Sequence, residues 1–138
     1  YLTVDSIGTA FGGGGLNAAL RDQARFGEMM RNGGMAHGRQ LVSAATIADI
    51  TGGGDRDAFK AGGYATLPGG SYRNMWRMLH NSHGAYSARG IHGQAIYIDP
   101  TAEMVIARFA SHPLAGNFNF DPTSLPAYQA IAERLLQG

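Results

Sequence analysis

Cysteine is absent from this 138-residue chain. That excludes disulfides, thiolate nucleophiles and cysteine metal sites, and is compatible with any compartment. Charge is sparse: Asp, Glu, Lys and Arg together make up 15%, and the formal net charge is +1. No run of Lys and Arg and no acidic tail occurs, so no global field selects nucleic acid or an anionic membrane as partner. No apolar run approaches the roughly 20 residues of a membrane-spanning helix. What is present is a globular composition, 44% hydrophobic, in a length that suits one domain with a core. Glycine is the unusual residue. The 21 glycines gather in clusters (Gly12 to Gly15, Gly33-Gly34, Gly52 to Gly54, Gly62-Gly63, Gly69-Gly70) that read as loops between periodic segments.

The organising stretch is Ser87 to Pro100. A small-residue segment, Arg89-Gly90-Ile91-His92-Gly93, leads into the apolar run Ala95-Ile96-Tyr97-Ile98. Asp99-Pro100 starts a turn, and Met104-Val105-Ile106-Ala107 resumes the apolar pattern. This predicts a hairpin of two mostly buried strands. Its glycine-flanked entry lets main-chain N–H groups face a ligand with no Cβ in the way. Upstream, the alternation of Tyr72, Asn74, Trp76 and Met78 with their neighbours predicts one strand over 72–80, with Trp76 in the core. The expected sheet is an antiparallel meander of at least three strands.

Leu16 to Asn32 reads as the main helix, with Leu16, Leu20, Ala24, Gly27 and Met30 on one face and Asn17 as its cap. A short helix is expected from Ala44, capped by Ser43. Residues 52–70 read as an irregular loop pinned by Phe59 and Tyr64, with Asp55-Arg56-Asp57 exposed. A final helix is expected with Pro126 in its first turn and Tyr128, Ile131, Leu135 and Leu136 on its apolar side. A terminal helix on an antiparallel sheet is an α+β arrangement. Gly12 to Gly15 superficially looks like a phosphate loop, but no Gly-Lys-Ser/Thr ending follows and no strand precedes. The five histidines, at 37, 80, 83, 92 and 112, show no His-x-x-x-His spacing, so a metal site ranks last among the readings.

Three passages, taken in order, resemble the C-terminal part of the serine β-lactamase-like family. This group holds class C β-lactamases, D-alanyl-D-alanine carboxypeptidases, family VIII esterases and 6-aminohexanoate-dimer hydrolase. Residues 13–27, from Gly13-Gly14-Gly15-Leu16-Asn17 to Arg25-Phe26-Gly27, look like its glycine-rich loop and following helix. Gly90-Ile91-His92-Gly93-Gln94 to Pro100 looks like its third-motif strand and hairpin, and Met104 to Pro113 like the return strand. The Gly-Ile-His-Gly-Gln form and the Ser-His-Pro ending look nearest the aminohexanoate-dimer hydrolase branch.

The resemblance implies a β-lactamase/transpeptidase-like α+β fold and a serine that attacks a carbonyl to form an acyl-enzyme. No cofactor is implied. The third motif falls at Ala88-Arg89-Gly90. It would make the Ile91 backbone N–H an oxyanion donor, with Gly90, Arg89 and His92 lining the substrate. The single lysine, Lys60, lies in no Ser-x-x-Lys. The nucleophile half is therefore expected upstream of Tyr1. On this reading residues 1–138 are the C-terminal portion of one domain, inactive alone. Its partners are the missing N-terminal part and a small-molecule amide or ester, and a homodimer is allowed. Ala88, where the family has Lys or His, leaves a second reading open: a non-catalytic binding or regulatory module on the same scaffold.

Overall fold

The computed structural model describes residues 1–12 and 14–138. Its centre is a five-stranded antiparallel sheet in which every strand pairs with its sequence neighbour. After a minor hairpin, β1 (Met35–Ala36) and β2 (Arg39–Gln40), the sheet runs β3 (Ser71–Arg73), β4 (Trp76–Met78), β5 (Tyr86–Arg89), β6 (Ala95–Asp99) and β7 (Met104–Arg108). Side chains alternate between the two faces. Ile98 joins Trp76, Met78 and Tyr86 beneath α1 (Leu20–Arg31) and α2 (Ala44–Thr51), where Met29, Met30, Ile47 and Ile50 close the core. Tyr97 points to the opposite face, where Tyr128 and Ala132 of α4 (Asp121–Leu136) cover it. The result is an α+β sheet with helices on both sides, as the pattern predicts.

Trp76 is buried, edge-on to Tyr86 at 5.3 Å. Ser43 caps α2, accepting from the Thr46 N–H at 3.1 Å. Phe59 stacks on Tyr64 with ring centroids 4.4 Å apart and so ties down the loop after α2. That loop is not wholly irregular: α3 (Arg56–Ala61) forms in it, capped by Asp55.

Three boundaries differ from the pattern. The expected strand 72–80 is a tight hairpin, because Asn74 (φ 47°) and Met75 (φ 71°) both take left-handed backbone and reverse the chain. Such a turn suits Asn but gives Met no local reason to adopt it. The main helix begins at Leu20 rather than Leu16. Leu16 bridges Leu2, and Asn17 is held by backbone bonds to Tyr1, so Asn17 is not the cap. The final helix begins at Asp121, with Pro122 in its first turn and Pro126 inside it. Its apolar side is only half covered: Tyr128 is buried, whereas Ile131, Leu135 and Leu136 are 49%, 55% and 51% exposed.

Gly27 sets the approach of α1 to the sheet. A Cβ there would lie 2.6 Å from Val105 Cγ1 and 3.0 Å from Ile96 Cγ2. Elsewhere in a helix, Gly→Ala gains about 1 kcal/mol. Here Gly27→Ala is expected to destabilise by about 1–3 kcal/mol, because the contact forces α1 off β6 and β7. Urea unfolding of the variant checks this, and a net gain in stability would show that α1 is free to shift.

Candidate functional site

The β5 to β6 connection forms a corner most of whose polar groups are tied down. Gly90 arrives extended (φ −106°, ψ 170°) and its N–H bonds Gln94 O at 2.9 Å. A single 3-10 turn, Ile91–Gly93, follows. His92 sits in left-handed backbone (φ 56°), conformational strain that its surroundings hold in place. Its N–H donates to Ala115 O at 3.1 Å, its O accepts from His112 N at 3.2 Å, and its Nδ1 is 2.7 Å from His112 O. The ring therefore anchors the 110–115 segment. Gly93 (φ 87°) packs so closely on the His112 ring that no Cβ fits. Gln94 bonds both backbone groups of Ala110 through its side-chain amide, which continues the β6–β7 ladder by one rung. Asn117 donates to Gly90 O at 3.2 Å.

Ile91 is an exception. Its N–H opens the 3-10 turn and meets no acceptor among the described residues, and the residue is 65% exposed. An unpartnered backbone donor on a corner held by its neighbours is a group that can stabilise an oxyanion.

Arg89, the second expected site residue, is not free. Its guanidinium forms a buried ion pair with Asp121, which also accepts from the Thr66 hydroxyl. Burial, and next the positive charge of Arg77, push Arg89 down to about 10, so it remains cationic at neutral pH. Arg89 thus fixes the start of α4 to the end of β5. Ala88, at the motif's first position, turns its methyl toward the core under α1.

Beneath α4 lies a polar cavity with about 20 Å³ of space for the centre of a water molecule, room for about one water. Arg108 reaches across it to Ser124 Oγ at 2.7 Å and Tyr128 Oη at 3.3 Å. The hydroxyls of Ser87 and Tyr97 are buried there with no hydrogen-bond partner among the described residues. Burial, and next the Asp99 carboxylate, push Tyr97 up to about 12.

Three further histidine contacts are local. His80 Nε2 is 2.7 Å from Ser71 Oγ, His83 Nδ1 is 2.8 Å from Asp99 Oδ2, and His112 stacks on Phe120 at 4.0 Å. Burial, and next Arg56, lower the His80 pKa. The Ser71–His80 contact is not a nucleophile pair, because Ser71 is fully buried and also accepts from the Gly54 N–H. Among the described residues no three His, Asp or Glu side chains converge on a metal position, and no helix is long and apolar enough to cross a membrane.

The sequence pointed to Gly90, Ile91 and His92 and missed Gln94, Asn117 and Asp121, which hold them. Asp121 precedes a proline and reads as a turn residue; nothing local announces its partner 32 positions earlier.

The α+β fold and its glycine-flanked corner agree with what comparison with known proteins finds. The chain is related to the 6-aminohexanoate-dimer hydrolases. Over 113 residues, 81% of its length, it is 39% identical to the 6-aminohexanoate-dimer hydrolase of Paenarthrobacter ureafaciens, of which it covers 29%. Its fold matches a solved structure described as "Putative 6-aminohexanoate-dimer hydrolase from Bacillus anthracis" with a TM-score of 0.78 and 31% identity, covering 99% of this chain and 34% of that one. The chain therefore spans about a third of the length of these relatives. No protein-family model matches it. Gly13, which heads the first of the three resembling passages, lies outside the described residues.

Proposed function

We propose that this chain is the C-terminal portion of a longer serine hydrolase that cleaves an amide bond, or an ester, through an acyl-enzyme. Ile91 contributes one oxyanion N–H, and Gly90 and the His92 backbone shape the wall beside it. The observation that carries the reading is the Ile91 N–H, unpartnered among the described residues, on a corner held by hydrogen bonds through Gly90, His92 and Gln94. The names of the relatives add the bond type. The open apolar strip of α4, Ile131, Leu135 and Leu136, supports the view that further chain packs against this portion.

The chemistry balances as follows. An upstream serine Oγ adds to the carbonyl carbon, and its proton passes to a base in the same upstream part. The carbonyl oxygen becomes an oxyanion facing Ile91. Collapse expels the amine or alcohol as it takes that proton from the base; water then gives a proton to the base and adds to the acyl carbon, and collapse returns the proton to the serine and releases the acid. Arg89 acts indirectly, holding β5 to α4.

Treating the full-length protein with a fluorophosphonate probe tests this. One covalent adduct is expected, on the serine of a Ser-x-x-Lys motif, together with hydrolysis of a linear amide. An intact motif that neither labels nor turns over would leave the non-catalytic binding module, which Ala88 favours.

A further inference from the structure

A cavity of about 510 Å³ opens beside the corner, lined by Tyr64, Thr66, Arg77, Arg89, Asn117 and Phe118 with the 62–65 backbone and Asp121. It adjoins the corner through Asn117, which lines it and bonds Gly90 O at 3.2 Å. Its wall carries two guanidinium groups and one carboxylate. Arg89 and Asp121 neutralise each other. Arg77 makes no ion pair and no side-chain hydrogen bond among the described residues; it lies over the rings of Tyr64, at 5.5 Å, and Tyr72, at 5.4 Å.

Stacking on an aromatic ring holds the guanidinium plane but satisfies none of its N–H groups, which lie in that plane. A carboxylate approaching edge-on takes two of them in parallel. Arg77 is thus a positioned cation without a counter-ion, in a cavity whose net charge is one positive.

We infer that Arg77 is a specificity residue that binds a carboxylate carried by the substrate, remote from the scissile carbonyl, in the cavity walled by Tyr64, Asn117 and Phe118. This rests on the hydrolase reading for its catalytic consequence, but not for binding.

The test uses the full-length protein. Turnover is compared for the linear dimer of 6-aminohexanoate and for its analogue with a hydroxymethyl group in place of the terminal carboxylate. Arg77→Gln is expected to lower the ratio of the two kcat/KM values at least about 10-fold, the scale of a lost charge-assisted hydrogen bond, and Arg77→Lys to restore part of it. A partly misfolded variant lowers both rates together and leaves the ratio intact, so an unchanged ratio in Arg77→Gln overturns the proposal. Calorimetric titration with N-acetyl-6-aminohexanoate and with its alcohol separates the two ideas. If the protein turns over neither amide yet binds the carboxylate in an Arg77-dependent manner, the hydrolase reading falls and the carboxylate site stands. Equal binding of acid and alcohol overturns the site even where turnover is found.

Discussion

Ile91→Pro in the full-length protein is expected to lower kcat/KM at least about 100-fold, the scale reported by loss of one oxyanion donor. The substitution deletes the N–H, and the local geometry tolerates it. Gly90 is extended at ψ 170°, the conformation a following proline demands. Position 91 opens a helical turn, where proline is at home and no intrachain bond is lost. Ile91→Ala keeps the N–H and should cost far less, since the side chain is mostly in solvent. The pair separates the amide from the side chain. A folded Ile91→Pro protein with near-native turnover would remove Ile91 from the oxyanion site.

The largest loss of stability is expected from Asp121→Ala, about 3–5 kcal/mol by urea unfolding of the full-length protein. Both members of the Arg89–Asp121 pair are about 95% buried, the side chains being 6% and 5% exposed. Removing the carboxylate strands a guanidinium that burial and Arg77 already disfavour. The double variant Arg89→Met with Asp121→Leu should recover much of that loss, because it leaves no charge behind. A cost below about 1 kcal/mol for Asp121→Ala would mean that water reaches Arg89. Because the pair joins β5 to the start of α4, the single variant should also lower activity, by letting the corner move.

The legible parts of the fold were those with a local cause. Ile96, Tyr97 and Ile98 alternate as a two-faced strand must, and the structure sends them to opposite cores. Ser43 before an apolar helix signals a cap and is one. The 74–75 turn was hidden because Met75 carries no turn preference; the pairing of Arg73 with Trp76 imposes it. At Leu16 the helical period ran on into residues that tertiary pairing with Tyr1 and Leu2 had already claimed. The corner itself could be picked out from Gly90 and Gly93, since closely spaced glycines announce unusual backbone. The groups that fix it could not. Asn117, Gln94 and Asp121 act through contacts that exist only once β5, β6 and the 110–121 segment are assembled.

The nearest-neighbour order of the sheet bears on how quickly the corner can exist. From Ser71 to Arg108, each strand pairs only with the strand before and after it, and every connection is a short turn or loop. Closing such loops costs little chain entropy, and single hairpins form in about 1–10 μs. The strand register on both sides of Ile91 is therefore set by a low-contact-order segment, and the corner is completed when His112, Ala115 and Asn117 close onto it.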